Sequence, residues 1–163
     1  MFGWISPRRR LALIAGALTV AGAGALGGIA LAGSTDAPPP ADPIPAKMLG
    51  ADVPVPISPV LLRTTNGWVT SDGQTLTAVY AGAAGNDSST GRFVVVRQDL
   101  NVGEHTVDSV DVGSTGAITI TSAPLGSSVE TSAQIGQLQF SSARGWTGSI
   151  DLGNNDAVES SAP

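Results

Sequence analysis

The 163 residues include no cysteine, one histidine (His105), one lysine (Lys47) and seven aromatic side chains. Without cysteine there is no disulfide, no thiolate zinc site, no cysteine nucleophile and no lipid-modified cysteine anchor. A single histidine excludes HExxH and multi-histidine metal centres. With Lys47 in a proline-rich stretch, the segment that follows has no lysine for a P-loop, a Ser-Lys dyad or a Schiff base. No G-x-S-x-G elbow occurs either. Charged residues make up only 13% of the chain, too few for a coiled coil or a charge-rich disordered tail. A net charge of −5 and a pI near 4.5 argue against a nucleic-acid partner.

The N-terminus carries an export pattern. Arg8, Arg9 and Arg10 precede 23 uncharged residues, Leu11 to Gly33. As a helix this run would span roughly 34 Å, enough for a bilayer core. The arginines would hold its start in the cytoplasm and send the rest of the chain outward. Two readings stay open. The length suits an uncleaved membrane anchor through residues 11–32, whereas Ala30-Leu31-Ala32 is an acceptable signal-peptide cleavage site, leaving a secreted product. Six glycines and eight alanines make the run weakly hydrophobic, and after its arginines it is similar to a twin-arginine export signal, though Pro7 replaces the usual Ser or Thr. Gly24 and Gly28 have the spacing of a helix-dimer motif, which small-residue runs also contain by chance. Beyond residue 33, 13 acidic groups against five basic ones leave the exported part at −8, which repels DNA and anionic lipid heads.

Eight prolines between Ser34 and Pro59 predict an extended, solvated linker over 34–60. From 61 to 152 the pattern changes to short β-branched runs separated by Gly, Asn, Asp and Ser, with no helical periodicity. This predicts one all-β domain, a small antiparallel sandwich or partly open barrel of about seven strands, and a disordered tail over 153–163. Residues 60–155 are expected to fold alone without metal. Asp72-Gly73 between two β runs predicts a two-residue type I′ hairpin pairing Val69 with Leu76. Val69, Leu76, Ala78 and Tyr80 then share one face, and Trp68, Thr75 and Thr77 the other, more polar one. Ala81 to Gly91 reads as a loop, Arg92 to Gln98 as a central strand, and His105 to Val112 as a strand bulged near Asp108-Ser109. Further strands are predicted at Ala117–Thr121, Val129–Ser132, Gln137–Ser141 and Thr147–Leu152. Gly148→Ala, inside the last of these, is expected to be milder than Gly73→Val, because a glycine within a strand need not have positive φ.

Candidate chemistry is sparse. A triad would have to join His105 to Asp99, Glu104, Asp108 or Asp111 and an unspecified serine. Asp108 and Asp111 could act as paired carboxylates on a glycoside only if the bulge brought them to one face. Oxygen-rich loops at Asn86-Asp87-Ser88 and Asp151–Asp156 are the places where calcium could sit, but neither matches an EF-hand, and no cofactor is expected. Asn86-Asp87-Ser88 is also a glycosylation triplet, meaningful only in a eukaryotic secretory route. Trp68 and Trp146, if exposed, would form a binding surface for a sugar or a protein.

Arginine outnumbers lysine seven to one, and Ala, Gly and Val are heavily used. With the arginine-led N-terminus, the proline-rich stretch and the segments Val79-Tyr80-Ala81-Gly82 and Glu130-Thr131-Ser132-Ala133, the chain resembles small exported actinobacterial proteins of uncharacterised function. The resemblance implies a bacterial envelope location and brings no functional residue with it. The expected role is a non-catalytic envelope β module, binding or structural, whose partner is an envelope protein or polysaccharide. The alternatives are a self-assembling envelope subunit and a carboxylate-based hydrolase of envelope polymers.

Overall fold

Apolar residues alternate along runs rich in Val, Ile and Thr, and the chain takes the extended conformation such runs favour. In the computed structural model, which describes residues 42–126 and 136–163, nine strands form and no helix is present among the described residues. They are β1 (Ile44–Leu49), β2 (Leu62–Ser71), β3 (Thr75–Ala84), β4 (Asp87–Asp99), β5 (His105–Gly113), β6 (Ile118–Ser122), β7 (Gln137–Ser142), β8 (Thr147–Asp151) and β9 (Ala157–Ser161). Each pairs antiparallel with its sequence neighbour, giving one sheet β1-β2-β3-β4-β5 and a second β6-β7-β8-β9. The all-β, antiparallel expectation holds. The N-terminal hydrophobic run and the strand expected at Val129–Ser132 lie outside the described residues.

The two sheets enclose one core. Trp68, Val79, Phe93 and Val95 from the first meet Ile118, Ile120, Leu138, Phe140 and Ile150 from the second. Phe93 and Phe140 touch edge to face, with centroids 5.4 Å apart and planes at 78°. As the sequence grouping required, Val69, Ala78 and Tyr80 share the opposite face of the first sheet, together with Val94 and Val96. The face holding Trp68, however, is the inner one. Threonines near the hairpin made it look polar, but Val79 and Ala81 continue it into the core.

The other face is also covered. Val55, Ile57 and Leu61, from the proline-rich connection between β1 and β2, pack against it. Burial there raises the Tyr80 phenol above its ordinary pKa. The end of this strap is held by Arg92, which donates to the Leu61 carbonyl (3.1 Å) while its fork grips Asp111. Gly85 leaves room for it: a Cβ there would lie 2.2 Å from the Val60 carbonyl oxygen.

Residues 34–60 are therefore not all linker. β1 lies among them, tolerating Pro45 because it is at the sheet's edge, where the register also shifts. The expected tail likewise contains β9, and a piece running from 60 to 155 would lack both strands. The expected loop at Ala81–Gly91 shrinks to Gly85-Asn86, because β3 and β4 extend into it. The bulge in β5 falls at Val112 rather than near Asp108, and Val107 and Val110 alternate normally between the two faces. The first hairpin pairs Ser71 with Leu76 and Val69 with Ala78. The central residues of its turn are Gly73 and Gln74 rather than Asp72 and Gly73, and it is not type I′, because Gly73 has φ +89° while Gln74 is not left-handed. Asp72 instead accepts the Gln74 and Thr75 amides with its carboxylate.

Gly73→Val should cost on the order of 1–2 kcal/mol, the penalty for placing a Cβ in the left-handed region. Gly148→Ala is not the mild comparison its strand position suggests. A Cβ at Gly148 would sit 2.1 Å from the Glu159 carbonyl oxygen and 2.8 Å from the Phe140 ring, so β8 and β9 would have to part. Paired denaturant melts should show the larger loss at Gly148, and a negligible loss there would contradict this packing.

Candidate functional site

Trp68 stands in the middle of β2, where the pleat aims it inward. It is 0% exposed and donates its indole N–H to the Pro124 carbonyl at 2.7 Å. It is not a binding surface; it is the largest side chain of the core and a link between the layers. Trp146 is half-buried in the β7–β8 turn, with its amide and carbonyl both bonded to Ser142. The two tryptophans therefore do not form a shared platform, and Trp146 alone keeps an exposed portion.

His105 opens β5, exposed and in register with Gln98. Three of its four candidate acids are engaged elsewhere. Asp99 accepts the Asn101 and Val102 amides in its own turn. Asp111 is gripped by Arg92, and Asp108 lies 3.7 Å from Arg97. Asp108 and Asp111 are on opposite faces of β5, one toward Arg97 and the other toward Arg92, so the two do not pair with each other.

The two oxygen-rich loops are organised by turn chemistry. Asp151 accepts the Gly153 and Asn154 amides, closing the β8–β9 turn. Asn155 and Asp156 in that turn are left-handed, with φ 56° and 58°, a conformation Asn and Asp tolerate better than most residues. The turn aims Asp156, 9% exposed, at Arg97 of β4. The guanidinium meets both carboxylate oxygens, at 2.5 and 3.1 Å. This pair joins the second sheet to the end of the first. Among the described residues, no three His, Asp or Glu side chains gather into a group that could hold a metal.

Asp87, expected in the other loop but the first residue of β4, accepts from the Ser89 amide and hydroxyl with one oxygen and from the Thr90 hydroxyl with the other. These bonds favour the charged carboxylate and lower its pKa to about 2, the Ser89 hydroxyl contributing most.

The residues sequence reasoning missed are Thr65 and Asn66. The register of β2 slips between Thr64 and Asn66, leaving Thr65 as an extra residue. Asn66 Nδ2 donates to the Ile120 carbonyl at 2.8 Å, and Asn66 Oδ1 accepts the Ile120 N–H at 2.9 Å. Thr65 Oγ1 lies within reach of the Ile118 and Ala81 carbonyls and, with one proton, donates to one at a time. Thr65, Asn66 and Trp68 thus tie β2 to the β6 segment. A mid-strand Asn beside Gly was the only local signal.

Compared with known proteins, the chain matches no protein-family model, no curated protein and no solved structure.

An NMR titration should place the Asp87 midpoint near 2 rather than at its ordinary 3.8. A carboxylate with a lowered folded pKa stabilises the fold above its unfolded value. That contribution should fade as pH falls from about 3.8 towards 2. Ser89→Ala should move the midpoint back up, and an unshifted value in the unaltered chain would contradict the hydrogen-bond account.

Proposed function

We propose that the protein belongs to a bacterial cell envelope, exported or membrane-anchored through residues 11–32, and that its two-sheet module, a sandwich in outline, binds or builds rather than catalyses. The observation that carries this reading is Arg8-Arg9-Arg10 followed by the uncharged run from Leu11 to Gly33. The module's chemistry supports it: the carboxylates considered for catalysis, other than Glu104, are occupied by arginines or by turn amides. The partner is an envelope protein or polysaccharide, and the exposed part of Trp146 is the aromatic surface left for it. Self-assembly is the second reading, favoured by β5 and β9, each of which ends its sheet and offers a strand edge.

Fractionation combined with sequencing of the mature N-terminus tests the location. A product starting near Gly33 outside the cell fits a cleaved signal. An intact N-terminus in the membrane, with the module digested by protease added to whole cells, fits an anchor. An intact chain found in the cytoplasm would overturn the proposal.

A further inference from the structure

Both residues of the Asn66-Gly67 pair are required by the fold, and together they are chemically labile. Asn66 is required because its amide supplies one donor and one acceptor to the backbone of Ile120. Gly67 is required because a Cβ there would lie 2.9 Å from Tyr80 Cδ1 and 2.9 Å from the Val79 carbonyl oxygen. Of the five asparagines, only Asn66 is followed by glycine. With no side chain to hinder it, the Gly67 backbone nitrogen can reach the Asn66 amide carbon when the chain is free to bend. We propose that Asn66-Gly67 is a deamidation site, open in the unfolded chain and closed by folding, so that the unfolded chain has a limited time in which it can still fold.

The step balances with water alone. The Gly67 nitrogen attacks Asn66 Cγ and loses its proton, and the side-chain nitrogen leaves as ammonia, forming a cyclic imide. Water then opens the ring at either carbonyl, giving aspartate or isoaspartate at position 66. In the fold, Gly67 is in register with Leu49 on one side and Tyr80 on the other, and the Asn66 amide is held by Ile120. The backbone is kept extended, so the nitrogen cannot turn onto Cγ. Either product damages the seam with β6. Aspartate has no N–H for the Ile120 carbonyl and sets acceptor against acceptor. Isoaspartate also lengthens the main chain inside a paired strand.

The test compares the full chain in mild detergent, folded, with the same chain unfolded in denaturant, both at mildly alkaline pH. Mass mapping of the peptide from Thr64 to Arg92 follows conversion at Asn66. Conversion should be more than about a hundredfold slower in the folded arm, since it must pass through open molecules. The yield on refolding should fall in step with conversion. Gly67→Ala, examined only unfolded, should slow the reaction, and Asn66→Asp should lose refolding yield without any incubation. Equal conversion rates in the two arms, or converted chains that refold as well as unconverted ones, would overturn the proposal.

Discussion

The architecture depends on the way one amide side chain stands in for a strand. β6 pairs with β7 along one edge and would otherwise leave the backbone of Ile120 unpaired beside the core. Asn66 presents the donor and acceptor of a peptide group and occupies both polar atoms of Ile120. Each such bond is worth only about 0.5–1.5 kcal/mol net, but a buried group left unpaired costs about 1–3 kcal/mol. The bulge at Thr65 sits directly before Asn66 and puts a hydroxyl contact to the Ile118 carbonyl beside it. Trp68, two residues on, fills the core and bonds the chain just after β6. A short stretch of β2 therefore fixes where the second sheet lies on the first.

The middle strands of the five-stranded sheet are buried on both sides, and this gives the proline-rich segment a structural role. Val55, Ile57 and Leu61 supply apolar cover, while prolines among them limit the freedom of the unfolded strap. Arg92 and Asp111 hold its end. Further along β4, near its C-terminal end, Arg97 and Asp156 close the gap between sheets. Two of the arginines beyond the N-terminal cluster thus join separate parts of the chain, which is where a planar, forked cation serves better than lysine.

The elements legible in the sequence were those set by local chemistry. Val94-Val95-Val96 is apolar on both faces, and β4 is central with both faces buried. Gly73 needed a positive φ because it turns a hairpin, and it has one. The grouping of residues by face followed from the period of two. Which face is inward did not follow, because that depends on β6 and the strap, distant in sequence. Trp68 is inward for that reason, and of the two tryptophans only Trp146 keeps an exposed portion. Proline marked residues 34–60 as linker because it lacks an N–H, yet an edge strand does not need that donor at Pro45. Gly148 looked like an ordinary strand glycine, since nothing local shows that the Glu159 carbonyl and the Phe140 ring fill its space.

The seam between the sheets is tested most directly by native-state hydrogen exchange at the Ile120 amide. Its acceptor is a side chain of another sheet rather than a paired strand. If Asn66 fixes the second sheet on the first, this amide should exchange as slowly as those of β2 and β3 and be released only when the module as a whole opens. Exchange as fast as that of an unpaired edge amide would contradict the account.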